Sequence, residues 1–120
     1  MKYLCLIHLE DGGLDGLDAA TKFKLDTDSL NYDKELEAGG HFIAAQALQS
    51  PDTARIVRVR NGEVSMTDGP YAETKEHLAG FILIEARDLN EAVRLASHIP
   101  MAEYASVEVR PIYTVIPVPA

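Results

Sequence analysis

The segment Asp68-Gly69-Pro70-Tyr71-Ala72-Glu73-Thr74-Lys75-Glu76-His77 is the densest polar cluster in the chain. It combines a turn at Gly69-Pro70, an aromatic ring, carboxylates at Asp68, Glu73 and Glu76, a lysine and an imidazole. Carboxylates beside a lysine and a histidine could form a general acid/base pair or hold a polar ligand, and a loop between structural elements is a common place for either. The same residues have a plain structural reading. In it Asp68 opens a turn, Glu73 and Lys75 are solvated, and Glu76 and His77 lie on the surface.

Other candidates are scattered. Glu73 and His77 are four apart and could face one metal ion on a helical turn, but zinc needs three or four protein ligands and no third is near; no metal is expected. His8 falls at the end of an apolar run, beside Glu10 and Asp11, where an imidazole could touch a ligand or simply be hydrogen-bonded. Gly12-Gly13-Leu14-Asp15-Gly16 lacks the dinucleotide fingerprint and is surrounded by acid, so no phosphate or redox cofactor is expected there. Ser29 stands on an apolar helix stripe, where a hydroxyl bonds back to the carbonyl four residues earlier or lines a pocket. Cys5 has apolar neighbours that raise a thiol's pKa, which suits inert core. Glu108 and Arg110 share one face of a strand and could pair with each other or with the loop acids. No Ser-His-Asp pattern or Walker loop is present.

These side chains are carried by 120 residues, a length that fits one domain over 1–120 and buries roughly two-thirds of the unfolded surface. Eleven basic residues against nineteen acidic give a net charge of −8, which argues against nucleic acid and anionic membranes as partners. One cysteine excludes an intrachain disulfide and suits a reducing compartment. The opening apolar run is too short for a signal peptide, and no stretch approaches the roughly 20 apolar residues of a membrane span. A cytoplasmic protein is expected.

The pattern of elements follows from periodicity and punctuation. Lys2 to Leu9 reads as a central strand buried on both faces. From Asp18 to Ala38 the spacing is helical, with Leu25, Ser29, Tyr32 and Leu36 on one face and Gly39-Gly40 as the stop. His41 to Leu48 is a second strand. Arg55–Arg60 and Val64–Met66 flank Asn61-Gly62, the strongest short hairpin signal, with Arg60 opposite Glu63. Thr67 to His77 is a polar connection, and Leu78 to Ala86 another buried strand. Asp88 caps a second helix with Glu91 as its reciprocal partner, and Pro100 closes it. Ser106 to Tyr113 is a last strand, near an edge because Pro111 cannot donate to a ladder. The tail from Thr114, with Pro117 and Pro119, extends away from the body. The order β-α-β, hairpin, β-α-β makes a ferredoxin-like α+β sandwich with helices on one face. The bare sheet face predicts a homodimer or higher oligomer.

Val64-Ser65-Met66-Thr67-Asp68-Gly69-Pro70-Tyr71-Ala72-Glu73-Thr74-Lys75-Glu76, followed by Gly80-Phe81-Ile82-Leu83-Ile84-Glu85, resembles the DGPF signature of the YCII-related proteins. Met1-Lys2-Tyr3-Leu4, the Arg58–Gly62 hairpin, Ile99-Pro100 and Ser106–Pro111 also match, so the resemblance covers most of the chain. Tyr71 stands where the signature has phenylalanine. The resemblance implies a dimeric α/β barrel with a cleft near the DGPF loop, and no established reaction for the DGPF branch. In the founding branch a first-helix histidine and an aspartate before the last strand form the proposed dyad. Here those positions fall on Ser29 and Ile99, so the dyad and its dehydrochlorination chemistry do not transfer.

Two functions follow from the resemblance and the residues together. In the first, a small organic molecule is bound or transformed in the cleft without a cofactor. Asp68 or Glu73 would be the base, Lys75 or Arg110 would stabilise negative charge, and Tyr71, Arg110 and His8 would hold the substrate. In the second, the chain is a non-enzymatic small-molecule sensor or a sigma-factor-associated partner, and the same charges tie the loop together. Convergence of the charges in a concavity favours the first, and pairing on an open surface the second.

Overall fold

The computed structural model describes residues 1–72 and 74–116. In chain order they form β1 (Lys2–Glu10), α1 (Ala19–Ala38), β2 (Phe42–Ala47), β3 (Arg55–Arg60), β4 (Glu63–Asp68), β5 (Glu76–Glu85), α2 (Leu89–Ala96) and β6 (Ser106–Pro111). Short 3-10 turns occupy Pro51–Thr53 and Pro100–Glu103. Strands lie in the order β2-β5-β1-β6, each neighbour antiparallel, and β3 with β4 makes a separate two-stranded sheet. With the hairpin set aside, this is the expected ferredoxin-like α+β arrangement, and β6 lies at an edge.

The helix ends follow from their caps. The Asp18 carboxylate accepts the Thr21 amide at 2.7 Å, giving α1 its start. Gly40 at φ +78° lets the His41 amide reach the Leu36 carbonyl at 2.7 Å, which ends it. Asp88 accepts the Glu91 amide at 2.8 Å and starts α2. The reciprocal bond differs from expectation: the Glu91 carboxylate accepts from the Arg87 amide at 2.9 Å, one residue before the cap. That amide, with the guanidinium groups of Arg87 and Arg94 and the His41 ring, holds the Glu91 carboxyl below its ordinary range.

Both helices pack on one face of the sheet. Tyr3, Cys5, Ile7, Ile82 and Ile84 from the strands meet Leu36, Ala92, Leu95, Ala96 and Ile99 in a single core. The Tyr32 hydroxyl donates to the Leu95 carbonyl at 2.6 Å and ties α1 to α2. β1 is therefore not buried on both faces. Tyr3, Cys5 and Ile7 are buried, while Leu4, Leu6 and His8 are only half-buried because no helix covers their side.

Pairing also runs further than expected at two places. Thr67 and Asp68 belong to β4, opposite Ile56 and Arg55, and Glu76 and His77 belong to β5, opposite Glu10 and Leu9. The polar connection is shortened at both ends by ladder bonds available to any residue type. The last strand stops at Pro111, so Tyr113 is 85% exposed beyond it rather than on a strand face. At the hairpin tip Asn61 (φ 53°) and Gly62 (φ +76°) both take positive φ, and Arg60 faces Glu63 as expected. Of the tail, Thr114 to Ile116 has no regular structure, and Pro117 and Pro119 lie outside the described residues. No described helix is long and apolar enough to cross a membrane.

Candidate functional site

A cavity of about 580 Å³ opens between α1 and the sheet. α1 contributes Asp26, Ser29, Leu30, Tyr32 and Asp33, and β1 contributes Ile7 and Leu9. Ala45 to Leu48, Ala79 to Ile82, Leu14 and Ile99 to Met101 complete the lining. Two local features lie in its wall. A bulge between Ile7 and His8 shifts the β1–β5 register by one residue. Gly80 lies so close to β2 that a Cβ there would stand 2.8 Å from the Gln46 carbonyl oxygen, so this wall is built on a residue without a side chain.

The cavity is mostly hydrocarbon with a few polar groups from α1 and Gln46. The Ser29 hydroxyl donates to the Leu25 carbonyl at 2.8 Å, the expected back-bond. Ser29 and Ile99, far apart in sequence, line the same space. Asp33, one turn beyond Ser29, is half-buried here, and burial raises its carboxyl pKa above the ordinary value. A carboxyl that holds its proton more tightly, set in an apolar concavity, can exchange that proton with a bound molecule. Sequence reasoning passed over Asp33 and Asp26. The available signal was Asp33 four residues after Ser29, on the same side of a helix already read as apolar.

The open face of the sheet carries a second polar line. His8 Nε2 is 3.0 Å from Glu108 Oε1, and Arg110 Nε is 3.6 Å from Glu108 Oε2. Glu108 thus joins two residues expected to hold substrate. They stand beside Leu4, Leu6, Phe81 and Leu83, the apolar residues paired on this face of β1 and β5. At the adjoining strand ends His77 Nε2 is 3.1 Å from Asp11 Oδ1, and the Ser106 hydroxyl donates to Glu76 Oε1 at 3.3 Å.

The Asp68 loop is elsewhere and open. The Asp68 side chain is 89% exposed and pairs with Arg55 Nε at 3.4 Å. The Gly69 amide donates to the Ala54 carbonyl at 2.8 Å. Tyr71 is 78% exposed, with the Arg58 guanidinium 5.9 Å from its ring centre. Lys75 is exposed, and its carbonyl accepts the Asp11 amide at 3.2 Å. Glu73 lies outside the described residues. Among the described residues no hydrogen bond or ion pair joins Asp68 or Tyr71 to His8 or Arg110, and no three His, Cys, Asp or Glu side chains come together to hold a metal. Burial pushes the Cys5 thiol up to about 11, so it stays protonated in the core.

Comparison with known proteins adds three findings. A family model described as YCII-related domain matches residues 1–116. An uncharacterised protein of Rhizobium meliloti strain 1021 is 40% identical over 81 residues, 66% of this chain and 64% of the relative. The match therefore spans less than two thirds of that protein's own length. Among solved structures, 5-chloro-2-hydroxyhydroquinone dehydrochlorinase from Burkholderia phenoliruptrix AC1100, in complex with 2,5-dihydroxybenzoquinone, superposes with a TM-score of 0.58. It covers 94% of each chain at 14% identity, a likeness of fold.

Proposed function

The chain belongs to the YCII-related domain family, and from that premise we propose that it binds and transforms a small organic molecule in the cavity between α1 and the sheet. The observation that carries this reading is a concavity of about 580 Å³, walled by hydrocarbon, with a half-buried carboxyl in it whose proton affinity burial has raised. Asp33 is the group that gives or takes a proton. Ser29 orients the bound molecule, and Leu9, Ile82 and Met101 pack against its body. The solved neighbour holds a small cyclic molecule and is a dehydrochlorinase, which supports small-molecule chemistry on this fold. Its reaction is not carried over, because the resemblance sets Ser29 and Ile99 against the founding branch's dyad.

The Asp68 loop has a different role in this reading. Its charge pairs on an open surface, which supports an anchor for the hairpin rather than a base. A second copy of the chain, laid against Leu4, Leu6, Phe81 and Leu83, completes the assembly and excludes water from the open sheet face.

The test is a fragment library read by protein-observed NMR on the full chain. Binders are expected to shift the amides of Asp33, Gln46, Gly80 and Met101 together, and Leu9→Ala is expected to weaken them about tenfold. Shifts confined to the Asp68–Lys75 loop would overturn the assignment of the cavity as the site.

A further inference from the structure

Resting on the cavity reading above, we propose that the molecule the cavity takes is an apolar amine, bound as its cation against Asp33 and Asp26. The cavity's lining holds two carboxylates and, among the described residues, no lysine, arginine or histidine. Its other side-chain polar groups, the hydroxyls of Ser29 and Tyr32, are neutral, and both already donate to backbone carbonyls. A carboxylate or phosphate ligand would enter an apolar space with no cation to meet it and two anions to repel it, a desolvation cost with no return. An ammonium group meets the opposite situation: it supplies the counter-charge that Asp33 lacks while its hydrocarbon packs on Leu9, Leu30, Ile82 and Met101.

Two further observations agree. Burial is the cause of the raised Asp33 pKa, so no neighbouring cation among the described residues relieves that carboxylate. The whole chain carries −8, a field that draws cations and turns anions away before they reach the cavity.

The experiment uses three probes of one shape that differ in charge: phenethylamine, phenethyl alcohol and phenylacetate. Calorimetry on the wild-type protein at neutral pH is expected to show the amine binding about tenfold or more tightly than the alcohol, with no phenylacetate binding. Asp33→Asn is expected to bring the amine down to the alcohol's level and to leave the alcohol unchanged. Asp26→Asn is a second variant at the cavity's edge, expected to weaken the amine less, and the wild-type comparison stands without either. Alcohol binding as tightly as amine would overturn the charge class while leaving the cavity reading in place. Phenylacetate binding best would overturn it too. Amine binding that shifts no amide of the cavity in NMR would overturn both.

Discussion

Asp33 is placed by α1 on the side that faces the sheet, where it is drawn partly out of water with no basic partner among the described residues. Burial favours the neutral form, so the folded-state pKa lies above the unfolded one. The sign for stability follows from linkage: the native state binds this proton more tightly, and its contribution is fully present below the unfolded pKa and lost as pH rises through the folded value. At neutral pH the carboxylate therefore costs the fold something that its amide analogue would not. Asp33→Asn is expected to unfold at higher urea than wild type at neutral pH, by less than about 1 kcal/mol because solvent screens a half-exposed group. The two proteins should converge as pH falls below the usual carboxylate range. A variant less stable than wild type at neutral pH would show that Asp33 is held by a structural contact, and a proton-exchanging role would lose its physical basis. A gain in stability joined to a loss of ligand binding is the signature of a functional residue kept at the fold's expense.

At the scale of elements, the Asp68-Gly69-Pro70 segment fastens β4 to the turn before β3. A Cβ at Gly69 would stand 2.5 Å from the Ala54 Cβ and 3.0 Å from its carbonyl atoms, closer than real side chains approach. Those atoms are largely backbone, so relief requires the two segments to part. Gly69→Ala is expected to destabilise by about 1–3 kcal/mol and to speed hydrogen exchange at the residue 69 amide, which donates to Ala54 in the wild type. Unchanged exchange would show that the loop is not anchored there. The glycine of this motif was legible in the sequence as a turn, yet the reason for it was not, because the neighbour that excludes a side chain arrives from Ala54, across the hairpin. The same limit explains most of what the sequence hid. The cap of the second helix and the hairpin tip are set by nearby residues, and Asp88 and Asn61-Gly62 announced them. The cavity is set by register and by Ile99 to Met101 packing under α1, so Asp33 read as one more acid on a helix surface. The His8–Glu108 contact is likewise diagonal: Ser106 faces His8 and Glu108 faces Leu6 in the ladder, so only the paired strands reveal it.

For the whole molecule, the proposed assembly rests on the open sheet face. Leu4 pairs with Leu83 and Leu6 with Phe81, so four apolar side chains form a patch that no described helix covers. Beside it Glu108 is held between His8 and Arg110, so its charge does not enter a covered face without partners. A second copy placed on this patch gains apolar burial, and opposing it are two bodies that each carry −8. The two terms respond differently to salt: screening weakens the repulsion and leaves the apolar contact intact. Sedimentation velocity is therefore expected to find a dimer at micromolar concentration that tightens as salt rises from low to moderate ionic strength. Leu6→Glu places a charge at the centre of the patch and is expected to yield a monomer with unchanged circular dichroism. That variant alters no residue lining the cavity. A monomeric wild type, or a Leu6→Glu protein that still dimerises, would remove the open face from the assembly. A dimer that salt dissolves would point instead to pairing through charge, with the His8, Glu108 and Arg110 line rather than the apolar patch as the contact.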